Sequence, residues 1–152
     1  MTETVVAAHL RWLCGWDREP GDPPFDFRAV QGEFCNWEAE DLRLYDDADP
    51  EHRVAHSAEE YRSLWEPVFG GLVTAEHRLA DGPHALVSGD LAVTRLVFVA
   101  RLVSTDGTET GLRATSSLTW RHSAAGWRIA WDHTSSVILD AETLAELMNV
   151  AP

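Results

Sequence analysis

Three long runs in the last third of the chain constrain its fold most: Leu91–Val103, Gly111–His122 and Gly126–Val137. Each is apolar or alternating and rich in Val, Thr, Trp and Leu, the residues that favour a pleated, half-buried surface. The breaks between them carry turn residues, Asp106-Gly107 and Ser123–Gly126, so the pattern predicts an antiparallel meander. At roughly ten residues or more, these strands exceed the usual ~5–6. Long antiparallel strands curve, and a curved sheet with helices on its concave side forms a cone with a pocket. Such a pocket suits a small molecule.

Helices precede this sheet. Thr2 or Thr4 can cap a helix running to about Asp17, with Val6, Leu10 and Leu13 on one stripe and Val5, His9, Trp12 and Trp16 on the adjoining face. A helix apolar over more than half its circumference is buried on two sides. Gly21–Pro24 stops it, and Pro23-Pro24 suits the first turn of a second helix through Phe27, Val30 and Phe34. Leu42–Tyr45 reads as a short strand ending in the acidic turn Asp46–Pro50. Ser57 and Glu60 form a capping box for a third helix through Tyr61, Leu64 and Trp65, with Pro67 as its terminator. Val73–Leu79 alternates as a strand that Asp81-Gly82-Pro83 turns, and Asp140 caps a last helix carrying Leu144, Leu147 and Met148. No linker, repeat or low-complexity tract interrupts residues 1–152, so one α+β domain is expected.

Composition narrows the partners. The 152 residues are 45% hydrophobic with seven Trp, ample for a core. Against 25 Asp+Glu stand 12 Lys+Arg, a formal charge of -13. Such a surface repels phosphate backbones and anionic lipid, which argues against nucleic acid and membrane partners. No apolar run approaches the ~18 residues of a membrane span, and residues 1–11 lack the basic start of a signal peptide. A cytoplasmic location is therefore expected. Cys14 and Cys35 show no CxxC spacing, and a reducing compartment leaves them as two buried thiols. His52 and His56 are four apart across a loop, with no third ligand, so no metal is expected.

The order helix, helix, short strand ending in Asp, capped helix and long meander resembles the nuclear transport factor 2-like superfamily. The likeness is sharpest at Arg113-Ala114-Thr115, Trp120-Arg121, Gly126-Trp127-Arg128-Ile129 and His133-Thr134-Ser135. Within the superfamily the chain resembles the SnoaL-like polyketide cyclases and ketosteroid isomerase homologues. The resemblance implies a cone-shaped curved antiparallel sheet with N-terminal helices packed on the concave face. It also implies a cofactor-free enzyme or a non-catalytic association module, since both occur on this fold. Ketosteroid isomerase uses a carboxylate base with a Tyr and a protonated Asp as oxyanion donors. Carried onto this chain, the base position falls at Asp46, the Tyr position near Trp12 and the Asp position near Leu118. Leu118 cannot donate a hydrogen bond, which argues against steroid isomerisation of that type. An Asp-Arg-Asp relay like that of limonene epoxide hydrolase fits no better, because Leu91–Val103 contains no Asp.

Residue types leave two readings at most candidate positions. Asp46 at the mouth of an apolar cone is a general base with a raised pKa, or with Asp47 it shapes a solvated turn. His133 shares strand parity with Trp127, Ile129 and Trp131, which makes it a pocket-lining acid/base group or a buried structural His. Asp132 points the other way, and a one-residue bulge would exchange their places. Arg95 interrupts a strand apolar on both faces, so it holds a ligand carbonyl or anion, or pairs with a carboxylate. Trp12, Trp16, Tyr61, Trp65 and Trp131 fill core volume or line a site for a flat ligand. His9 lies on the Trp12 stripe, a second acid/base group or a core residue.

Together these readings give Asp46 and His133 as catalytic candidates. Trp12, Trp16, Tyr61, Trp65, Arg95, Leu118 and Trp131 are the candidate substrate-binding set. The expected chemistry is proton abstraction next to a carbonyl, leading to cyclisation, isomerisation or dehydration of a hydrophobic, polyketide-like molecule without a cofactor. Apolar residues on both faces of Val93–Val99 need cover on both sides, and the helices are expected on only one. A homodimer through the convex face follows.

Overall fold

A computed structural model describes residues 3–149. Six strands form one sheet in the order β2-β1-β6-β5-β4-β3. They are β1 (Arg43–Asp46), β2 (Val54–Ala55), β3 (Leu72–Ser88), β4 (Leu91–Ser104), β5 (Glu109–Ser123) and β6 (Gly126–Leu139). Four helices accompany them: α1 (Val5–Cys14), α2 (Phe27–Gln31), α3 (Ala58–Gly70) and α4 (Ala141–Met148). The α+β class and the long meander are as expected, but the sheet is mixed, because β1 runs parallel to β6. Among the described residues, no helix is long and apolar enough to cross a membrane.

α1 forms because Thr4 accepts a hydrogen bond from Ala7 N–H and because Val5, Ala8, His9, Trp12 and Leu13 repeat at helical spacing on its buried face. Thr2, the other candidate cap, lies outside the described residues. The helix stops at Cys14 rather than near Asp17, where Gly15 caps it. Cys14 is exposed and only Cys35 is buried. The second helix starts at Phe27, not at the two prolines, since the Asp26 side chain caps it through Ala29 N–H; Val30 faces outward. Ser57 caps α3 as predicted, but Pro67 does not end it, and the helix runs on to Gly70. Proline there removes one backbone hydrogen bond, while Tyr61, Trp65 and Phe69 keep the same face packed on the core.

Two irregularities curve the sheet. The Asp81-Gly82-Pro83 segment is no turn: β3 continues through it as a register shift and resumes pairing at His84 opposite Arg95. Unbroken β4 offers partners on both sides of the interruption, so the extra residues are absorbed as a bulge. The reversal comes at Gly89, whose φ of +59° is readily adopted by glycine. The second irregularity sits in β6, where Trp120 pairs with Ile129 but Thr119 pairs with Trp131, leaving Ala130 extra. That single residue reverses inward and outward for everything after it.

α1, α2, α3 and the segments that follow α1 and α2 pack Trp12, Trp16, Phe27, Phe34 and Tyr61 onto the concave face. Edge-on rings dominate there, with Trp12 meeting Trp16, Phe27 and Phe34 near 90°. The narrow end is closed by Leu118, Trp120 and Ile129, with Trp120 Nε1–H donating to Thr94 Oγ1 at 2.8 Å. The helices do not stay on one side. α4 folds onto the convex face, where Leu144 fills the space above Gly111, and Val99 is only 3% exposed.

Candidate active site

The open end of the cone holds a cavity of about 530 Å³ whose walls are largely aromatic and aliphatic. α1 contributes Trp12, the segment after it Trp16, and α3 contributes Tyr61, Trp65 and Phe69, all lining it. Against that apolar background the floor carries one polar row across three strands, because Ser116 pairs with Thr134 and Thr134 with Asp46. Asp132 lies two residues from Thr134 on the same face of β6, at 6% exposure.

Asp132 sits beside this row and is bonded to it through Thr134. Thr134 Oγ1–H donates to its Oδ1 at 2.7 Å, and the Tyr61 hydroxyl donates to its Oδ2 at 3.4 Å. Burial pushes this carboxyl well above the usual range, and the neighbouring Asp46 charge pushes it further. Burial likewise raises the Tyr61 phenol, reinforced by Asp132. Asp46 sits at the end of β1, half-buried in the cavity wall, with Oδ1 accepting a 2.9 Å bond from Ala48 N–H. Burial lifts it to about 6, partly offset by that backbone bond, and Asp47 and Asp49 add to the rise. Asp46 thus both shapes the turn and faces the cavity as a carboxylate of raised pKa.

The loop beyond β1 is stiffened by its own hydrogen bonds. Asp49 accepts from the Arg53 guanidinium and from the backbone N–H groups of Glu51 and Arg53. The Arg53 contact holds its carboxyl well below the usual range. Asp47 takes Ser136 N–H and Oγ–H at 3.0 and 2.7 Å, which ties the loop to β6. Asp46 is thus anchored on both sides. Deeper in the wall, His9 shares a 3.0 Å hydrogen bond between Nε2 and Ser116 Oγ, and burial lowers it to about 4, so the ring is neutral at pH 7.

The structure brings Asp46, Trp12, Trp16, Tyr61 and Trp65 to one cavity, and it places four other candidates elsewhere. His133 stands on the outer face with its ring 5.1 Å from that of Tyr45, and Trp131 is 54% exposed on the same face. Their parity with Trp127 and Ile129 is broken by the extra Ala130, which turns Asp132 inward instead. Arg95 also faces out, 3.9 Å from Asp81. Leu118 is fully buried in the closed end beside Trp120, away from the cavity lining. Thr134 and Ser116 join the site through the same parity that brings in Asp132. Among the described residues, no group of three or more His, Cys, Asp or Glu is placed to hold a metal ion.

No family model matches the sequence, and no curated protein matches it. Solved structures do. A nuclear transport factor 2-like superfamily protein from Salmonella enterica superposes with a TM-score of 0.70 at 17% identity, covering 86% of this chain and 87% of that one. A Streptomyces avermitilis protein, provisionally assigned as a dehydratase of the same family, gives 0.66 at 16% identity over 87% and 93%. A Shewanella frigidimarina protein, provisionally assigned as a ketosteroid isomerase, gives 0.62 at 14% identity over 88% and 96%. The chain has the nuclear transport factor 2-like fold.

Proposed function

We propose that the cavity is the active site of a cofactor-free acid–base enzyme. Its type is that of the SnoaL-like cyclases, isomerases and dehydratases, and its substrate is a hydrophobic, polyketide-like molecule carrying a carbonyl group. One observation carries the reading. Two carboxyls share an apolar cavity: burial lifts Asp46 to about 6, and burial together with the Asp46 charge pushes Asp132 well above the usual carboxylate range. In the proposed mechanism the pair shares one charge, carried by Asp46, while Asp132 keeps its proton. That asymmetry separates a base from a hydrogen-bond donor.

Asp46 removes a proton from the carbon next to the substrate carbonyl, and the electron pair moves onto the carbonyl oxygen. Protonated Asp132, oriented by Thr134 and Tyr61, donates to the developing enolate oxygen. The enolate then takes the proton back from Asp46 at another carbon, or attacks a second carbonyl whose oxygen takes that proton, or expels a β-hydroxyl group that leaves with it as water. Each route returns Asp46 to its charged form. Trp12, Trp16 and Trp65 hold the ring system and exclude water, which strengthens each of these interactions. The carboxyl that serves as donor comes from β6, not from the Leu118 position.

Leu118 supports the alternative, a non-catalytic ligand-binding or association module, because the position that resembles an oxyanion donor is apolar. Asp46→Asn decides between the two: it keeps the Ala48 contact and removes the base. Turnover falling by about 10²–10⁴ with ligand affinity nearly unchanged supports the enzyme. Wild-type activity retained in both Asp46→Asn and Asp132→Asn overturns it. We further infer a homodimer through the convex face, where Leu91, Val93, Trp131 and Val137 remain exposed around the area that α4 leaves open.

A further inference from the structure

A histidine paired with a carboxylate faces the cavity from the far edge of the sheet. Past α1 the chain is clamped to β3 by two backbone bonds, Arg18 N–H to Ala75 O at 2.9 Å and Ala75 N–H to Arg18 O at 3.0 Å. This clamp sets Asp17 beside His77. Asp17 Oδ1 accepts the His77 backbone N–H at 2.8 Å and lies 2.9 Å from its Nδ1. The backbone bond alone would suffice to dock the loop. The bond to Nδ1 does something more, because it commits that nitrogen's proton to the carboxylate and leaves Nε2 as the free position of the ring.

The ring is held as well as oriented. Phe69 stacks on it at 6.4 Å and 18°, and Phe98 leans against it at 5.4 Å and 56°. The side chain is 6% exposed, the residue lines the cavity, and Nε2 has no hydrogen-bond partner among the described residues. His77 begins a row of cavity-lining residues that continues through Ala100, Leu112 and Ile138. The row containing Asp46 crosses β6 at Thr134, four residues from Ile138, or roughly 13 Å along the strand. Asp46 and His77 also belong to strands separated by β6, β5 and β4. The two polar stations therefore occupy different ends of one apolar cavity.

We propose that His77, oriented by Asp17, contacts the ligand: its Nε2 pairs with a phenolic or enolic hydroxyl on an otherwise apolar skeleton, at the end of the cavity remote from Asp46 and Asp132. With Nδ1 turned to Asp17, Nε2 is the ring atom left for the ligand, and a hydroxyl, which both donates and accepts, pairs with it whichever way the proton lies. The site thus selects a flat molecule with a hydroxyl at one end and a reacting carbonyl at the other. The inference rests on the cavity being a ligand site and is independent of Asp46 acting as a base.

Two probes of one shape test it, 2-naphthol and 2-methylnaphthalene, titrated into the full chain by calorimetry or Trp fluorescence. In His77→Phe the ratio of the two affinities should shift about tenfold against the naphthol, the usual effect of losing one buried hydrogen bond. His77→Gln, which keeps a polar end, should retain part of the preference, and Asp17→Asn should weaken it while still accepting the backbone N–H. The imidazole ¹⁵N signal of His77 Nε2 should move on adding 2-naphthol and stay in place with 2-methylnaphthalene. An unchanged ratio in His77→Phe overturns the proposal, as does failure of 2-naphthol to bind the wild type. A ratio that shifts in Asp132→Asn instead also overturns it, by placing the hydroxyl at the other station.

Discussion

Replacing Asp46 by Asn should make stability respond differently to pH, and the size of the response follows from the site. Burial raises this carboxyl from 3.8 to about 6. A group held neutral by folding contributes stability below its unfolded pKa and loses it as pH rises through the folded one. At pH 4 the wild type therefore carries little penalty from Asp46. By pH 8 the folded state must hold a charge that the unfolded chain solvates freely, which costs about 3 kcal/mol at 1.36 kcal/mol per pH unit. The substituted amide carries no charge at either pH, and its oxygen still accepts the Ala48 hydrogen bond. Asp46→Asn should thus gain stability over the wild type progressively between pH 4 and 7 and hold that gain above it. Lifting the Asp46 charge also eases ionisation of Asp132, which adds in the same direction. Urea unfolding of both proteins at several pH values reads the difference directly. With a slope of about 2 kcal/mol/M, the midpoints should separate by roughly 1.5 M more at pH 8 than at pH 4. The general repulsion of an acidic chain cancels in this comparison. A difference that stays flat with pH refutes the raised pKa, and with it the base.

Three further outcomes follow. His9, lowered to about 4 by burial, contributes stability above pH 6.5 that is lost as pH falls toward 4, about 3 kcal/mol in all; His9→Leu should flatten that part of the urea-midpoint profile. Gly111→Val should destabilise the protein by about 1–3 kcal/mol in thermal unfolding, because its Cβ would lie 2.6 Å from the Leu144 side chain that seats α4. Sedimentation at micromolar concentration should give a dimer that Val93→Asp and Trp131→Asp split, and a stable 16.9 kDa wild-type monomer would remove the convex face as an interface.

Period-two alternation and turn residues made the meander legible, and helical spacing with caps at Thr4, Ser57 and Asp140 located three of the helices. Prolines misled in both directions. Pro67 and Pro83 read as breaks, yet tertiary packing carried α3 past the first and unbroken β4 carried β3 past the second. Asp46 was legible because a strand end and a capped helix bracket it. His133 was misplaced for one reason, the unpaired Ala130, which nothing in an apolar run marks. A bulge is a property of two strands, here set by how Trp120 and Ile129 pack at the closed end. His77 carried a usable signal, since it shares strand parity with buried Ala75. Its partner Asp17 did not, because 60 residues separate them and only the fold joins them.

Unequal protonation of Asp46 and Asp132 is the claim on which the proposed chemistry stands. Carboxyl ¹³C signals, assigned with Asp46→Asn and Asp132→Asn and followed from pH 3 to 9, measure it directly. The account predicts that Asp46 titrates near 6 while Asp132 keeps its protonated position after Asp46 has ionised. Two carboxyls that both ionise below about pH 4.5 would contradict it.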